Sequence, residues 1–276
     1  MTRPSLDGVV AKVDRAREHI KVLDDQLGAS LPYQLDSDVI GMEHDPDEGQ
    51  IIVTWEGISP DTRPWSIALG EVLYQLRSAL DHLAWQLVLA NGNRPNTDTA
   101  FPIYEREAAF EDGSLRKMRG ISSEARAVIK ALQPFSMWPS NPTDTIPWAL
   151  HRLCNIDKHR VLNLTSVFVN RIVADIHWNA DVSLRREFIA SPRSRLEPNT
   201  ILVKYLFDPA KVRTLSYPED QVEVKFSLGI GVGITDLTFK DREGNPGQAP
   251  SLKGIMELAL GYVEGHVISN LRRFID

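Results

Sequence analysis

The chain has 276 residues, 42% of them apolar and 25% charged, with a formal net charge of −6. That length can bury a sizeable core, as one large domain or two small ones. The acidic balance excludes broad electrostatic capture of nucleic acid, which draws on clustered Lys and Arg, and leaves room only for a local basic groove. Cys154 is the only cysteine, so no internal disulfide forms, which fits a reducing compartment. No run of about 18 apolar residues occurs and the first residues lack the apolar stretch of a signal peptide, so a cytoplasmic protein with no membrane partner is expected.

Leu6, Val9, Val13, Ala16, Ile20, Leu23 and Leu27 recur at steps of three and four, which predicts a helix over 5–28 with Gly28 as its cap. Residues 34–57 read as a β-hairpin, with Asp45-Pro46-Asp47-Glu48-Gly49 as its turn rather than a calcium loop. The longest helix is predicted over 62–90. Its Leu69, Leu73, Leu76, Leu80, Leu83 and Leu87 form a bundle seam, and Asn91-Gly92-Asn93 stops it. Shorter helices follow near 105–118 and 122–132. Pro134, Pro139 and Pro142 break the chain, and Pro147 opens another helix running to about His159.

Beyond residue 160 the segments 161–178, 182–190, 200–207 and 221–234 have strand character. The last alternates Val222, Val224, Phe226, Leu228, Ile230, Val232 and Ile234 with polar residues or glycine, so one face is expected to be buried. Its Gly229, Gly231 and Gly233 lie inside that alternation and form no phosphate loop. Ser251 caps a final helix to about Phe274. The fold class is therefore α+β: a bundle of about four main helices packed with an antiparallel sheet. The expected division is a mainly helical 1–160 including the hairpin, a β-rich 161–245, and a helix at 246–276 returning to the bundle.

Two charged hexapeptides stand out, Arg77-Ser78-Ala79-Leu80-Asp81-His82 and Asn155-Ile156-Asp157-Lys158-His159-Arg160. On a helical wheel Glu71, Gln75, Ser78, His82 and Gln86 form a stripe opposite the leucine seam, and Arg77 and Asp81 lie one turn apart on its flank as an ion pair. Asp157 falls on the apolar side of its helix, near Leu150, while His151, Asn155 and Lys158 fall on the other. A carboxylate so placed calls for a partner, with Arg77, His82 or a backbone cap the candidates. Asp157 to Arg160 also reads as an ordinary basic helix C-terminus. Facing helices of a bundle commonly build sites, which makes neighbouring hexapeptides the strongest functional signal.

The first hexapeptide fits R-x4-H and resembles the signature of the HEPN ribonucleases, small helical-bundle proteins. That resemblance implies a metal-independent endoribonuclease of a defence or toxin type, working on RNA as a homodimer and without cofactor. Arg77 would hold phosphate charge and His82 would move a proton, with Asp81, Asp157 and His159 as further catalytic candidates. Ser78, Asn155, Lys158, Arg160 and His151 would bind. Both hexapeptides also resemble segments of a group of uncharacterised bacterial proteins, a likeness that brings no activity.

Two alternatives accompany it. In one, the charged motifs hold helices together in a non-catalytic binding or assembly module. In the other, His82, His151, Asp157 and His159, with Glu71, serve a metal-dependent hydrolase, although no H-x3-H pair or HExxH occurs. Cys154, beside Leu150 and Leu153, reads as a core residue. His19, His44, His177 and His266 read as structural, and Trp65, Trp85, Trp138 and Trp148 as core or bundle-edge residues.

Overall fold

The computed structural model describes residues 3–30, 40–45, 47–57, 61–162, 164–178, 185–190, 197–212, 222–234, 237 and 251–275. It is an α+β fold that divides into two compact units. One comprises residues 1–26, 62–164 and 234–276, the other 27–61 and 165–233.

The first unit is helical. Helix α1 spans Asp7–Ser30, two residues past the expected cap at Gly28. α2 spans Arg63–Ala90 and begins with Pro64, whose fixed φ suits a first turn. α3 (Glu107–Lys117) and α4 (Ser123–Ala131) follow, then the single turn α5 (Pro134–Met137), a 3₁₀ turn at Pro142–Asp144, and α6 (Ile146–Asp157). The leucine seam of α2 is the core. Leu69, Leu73, Leu76, Leu80 and Leu83 are fully buried and Leu87 nearly so. Facing them are Ala149, Leu150 and Leu153 of α6, and from the C-terminal helix Leu252, Ile255, Met256 and Val263.

α1 lies antiparallel along α2. The Ser5 amide donates to Gln86 Oε1 at 3.0 Å, Gly8 sits against His82, Lys12 lies over the Tyr74 ring, and His19 Nδ1 is 3.2 Å from Glu71.

The second unit holds a four-stranded antiparallel sheet. β1 (Ile40–Asp45), β2 (Gln50–Trp55), β4 (Arg185–Phe188) and β5 (Thr200–Leu206) are ordered β1-β2-β5-β4. β2 has one buried face: Ile51, Val53 and Trp55 are buried while their neighbours are half-exposed. The turn before it is an Asx turn, with Asp45 Oδ1 accepting from the amides of Asp47 and Glu48. Gly49 closes it at φ +66°, where an added Cβ would lie 2.5 Å from the Phe207 carbonyl oxygen, so only glycine fits.

The hairpin therefore belongs to the sheet through β2–β5 pairing, not to the helical part with which it is contiguous in sequence. β3 (Leu164–Trp178) and β6 (Val222–Ile234) form a separate two-stranded ribbon, with the turn α7 (Pro209–Val212) before β6. Which face of Val222–Gly231 is buried, and the surroundings of His177, lie outside the described side chains.

The chain returns to the first unit through α8 (Leu252–Gly261), capped by Ser251 Oγ on the Gly254 amide. The helix then widens into a π-helical stretch at Tyr262–Ile268 before α9 (Ser269–Leu271). No helix among the described residues is long and apolar enough to cross a membrane.

Candidate functional site

The solvent side of α2 splits into two faces. Glu71, His82 and Gln86 of the polar stripe turn toward α1. Ser78 instead shares a second face with Gly70, Tyr74, Arg77 and Asp81, and this face meets Cys154, Asp157 and Lys158 at the end of α6. Together these eight residues line a cleft of about 220 Å³, wholly within the first unit.

Arg77 and Asp81 form the pair expected from their spacing, Nη2 to Oδ1 at 2.9 Å. They also hold a backbone segment the sequence did not single out. Arg77 Nη2 donates to the Phe101 carbonyl at 2.6 Å, and the Phe101 amide donates to Asp81 Oδ1 at 2.9 Å. Gln133, fully buried, continues the clamp. Its Nε2 donates to the carbonyls of Pro102 and Ile129, and its Oε1 accepts from the Tyr104 amide.

Residues 101–104 have no helix or strand of their own. Their backbone polar groups sit beside buried Phe101 and Ile103, and side chains from α2 and the α4–α5 junction satisfy them. The only sequence signal for this segment was a short apolar stretch around a proline. Nothing in the spacing names Gln133 as its partner.

The Arg77 side chain is 14% exposed. Its second nitrogen, Nη1, is buried and has no hydrogen-bond partner among the described residues.

Asp157 contrasts with Asp81. Among the described residues its carboxylate has no hydrogen bond and no ion pair, and burial raises its pKa above the ordinary value. It lies against the backbone of Gly70, where an added Cβ would come within 2.5 Å of Oδ1. Glycine at 70 thus makes the space that the carboxylate fills. Neither Arg77 nor His82 pairs with it, and Lys158, next in sequence and exposed, has no hydrogen-bond or ion-pair partner among the described residues.

His151 is half-buried, with its Nε2 3.1 Å from Asn155 Nδ2. Burial first, then the nearby charges of Arg77, Lys117 and Lys158, lower its pKa to about 4, so the ring is neutral at pH 7. Cys154 donates to the Leu73 carbonyl at 3.4 Å, and burial pushes its thiol up to about 12, which leaves it protonated and inert.

The chain thus brings together Arg77, Ser78, Asp81, Asp157 and Lys158. It does not bring His82 to them: the ring is exposed and faces α1, where a methyl added at Gly8 would lie 3.2 Å from Nδ1. His159 and Arg160 follow the last turn of α6 and are exposed. No group of three or more His, Cys, Asp or Glu side chains gathers among the described residues as metal ligands do. Glu71 faces His19 instead of the other proposed ligands.

Of the tryptophans, Trp65 is buried, Trp85 and Trp138 are exposed, and Trp148 donates from Nε1 to Glu105 at 3.1 Å. A larger groove of about 870 Å³ runs between the start of α1 and the end of the C-terminal helix. Two of its acids, Asp14 and Glu264, are already bridged by Arg17. The smaller cleft holds a half-buried carboxylate with no partner among the described residues.

Compared with known proteins, the chain matches no family model, no curated protein and no solved structure.

Proposed function

We propose that this chain is a non-catalytic binding module whose Arg77–Asp81 pair is structural and whose α2–α6 cleft takes a small polar ligand. The observation that carries this reading is the division of the charges. Arg77 Nη2 and Asp81 Oδ1 are occupied by each other and by the Phe101 backbone, while the Asp157 carboxylate, on the same cleft, has no partner among the described residues. A half-buried carboxylate without a donor is destabilising, and a ligand with a donor there removes that cost.

A ribonuclease built on R-x4-H needs its guanidinium and imidazole at one phosphate. Here the two lie on different flanks of α2, so the chemistry would require a second chain. The test is RNA cleavage in EDTA by the wild type and by His82→Ala, alongside urea unfolding of Arg77→Ala and Asp81→Ala. The module reading expects no cleavage and clear losses of stability. Cleavage that survives EDTA and vanishes in folded His82→Ala would replace it with the ribonuclease.

A further inference from the structure

The cleft is lined by the Asp157 carboxylate, the Lys158 ammonium and the Ser78 hydroxyl, beside the paired Arg77 and Asp81. None of the first three has a hydrogen-bond or ion-pair partner among the described residues. Asp157 and Lys158 adjoin in sequence yet do not neutralise each other.

A simple anion entering the cleft would meet Asp157 and the outer oxygen of Asp81. A simple cation would meet Lys158 and Arg77. A molecule carrying both charges answers Asp157 and Lys158 at once. Size points the same way, since about 220 Å³ falls below the roughly 300–1,000 Å³ of pockets for drug-sized ligands. At the mouth stands Tyr74, 60% exposed, an aromatic surface for an apolar substituent.

We propose that the cleft binds a small zwitterion of the α-amino acid class, with its ammonium on Asp157, its carboxylate on Lys158 beside Ser78, and its side chain along Tyr74. This deepens the binding-module reading and rests on it. Gly70 is part of the recognition, because a side chain there would displace the Asp157 carboxylate. The ligand's ammonium also supplies the partner that this half-buried carboxylate lacks among the described residues.

The experiment is ligand-observed NMR titration of the full chain with four probes: phenylalanine, phenylalaninamide, 3-phenylpropionate and inorganic phosphate. Phenylalanine should bind. The amide, which lacks the anionic end, and 3-phenylpropionate, which lacks the cationic end, should each bind about tenfold more weakly or worse, the loss of one charge-assisted hydrogen bond. Asp157→Asn and Gly70→Ala, each checked for native circular dichroism, should lose phenylalanine binding to a similar degree. Should Gly70→Ala fail to fold, the near-isosteric Asp157→Asn still decides the matter. Binding of phosphate or 3-phenylpropionate as tight as that of phenylalanine, abolished by Arg77→Lys, would overturn the zwitterion and leave the cleft as an anion site. Equal binding of phenylalaninamide and phenylalanine would overturn it in favour of a cation site. If no probe binds, both the zwitterion and the small-ligand cleft fail.

Discussion

Two charged hexapeptides of like composition have opposite fates in this molecule. On α2, Arg77 and Asp81 close on each other and on the Phe101 backbone, so their charges do the work that a neighbouring strand does in a sheet. At the end of α6, Asp157 and Lys158 close on nothing among the described residues. Residue type therefore does not separate a structural charge from an available one. What separates them is whether an irregular backbone segment lies within reach, and residues 101–104 reach only the first.

This contrast can be broken most forcefully at Asp81. Asp81→Ala leaves a buried guanidinium without its carboxylate and the Phe101 amide without its acceptor. Unfolding in urea should show a loss of about 2–4 kcal/mol, the cost of losing two charge-assisted hydrogen bonds at a partly exposed pair. Gln133→Ala, which frees the Tyr104 amide and the Pro102 carbonyl, should lose about 2–3 kcal/mol by the same measurement. A loss below about 0.5 kcal/mol in either variant, the range of ordinary surface changes, would mean that the 101–104 segment is not held as described.

The next effect is a pH dependence. His151 has its folded pKa pushed down to about 4, against about 6.5 in the unfolded chain. Between those values the unfolded state binds a proton that the folded state refuses. The stabilisation is therefore complete above about pH 6.5 and drains away as pH falls toward 4, by up to about 3 kcal/mol. His151→Gln should flatten that part of a plot of urea midpoint against pH. A slope unchanged by the substitution would show that His151 is not the group responsible. Asp157 has the opposite sign: its raised carboxyl favours the fold at low pH and loses that contribution as pH rises past the ordinary Asp value. The smallest expected effect is Lys158→Ala, which should change stability by no more than about 0.5 kcal/mol, read from the same urea curves.

Much of the scaffold was legible because it follows local periodicity. The α2 seam, the 107–117 and 123–131 helices, the Asx turn at 45–49 and the capped helix after Ser251 all depend on residues within a turn or two of one another. The Arg77–Asp81 contact was legible for the same reason. Less visible was everything that joins distant segments. The hairpin's sheet partner, β5, lies some 150 residues downstream, so contiguity placed it with the wrong neighbours. A wheel shows that Asp157 and His82 point away from water or toward it, but not which element covers them. Gly8 for His82 and Gly70 for Asp157 are contacts made by the absence of a side chain, which leaves no residue to notice. For the same reason the stripe from Glu71 to Gln86 read as one solvent face, when α1 takes part of it and the cleft takes Ser78.

The most direct test is urea unfolding of two near-isosteric variants, Asp81→Asn and Asp157→Asn, measured side by side at pH 7. Each removes one negative charge and little volume. Asp81→Asn should destabilise the protein by at least about 1.5 kcal/mol, because it weakens charge-assisted bonds to Arg77 and Phe101. Asp157→Asn should be neutral or stabilising, because it relieves a desolvated carboxylate that no described residue answers. A stable Asp81→Asn together with a crippled Asp157→Asn would invert the assignment of the two motifs and contradict the account.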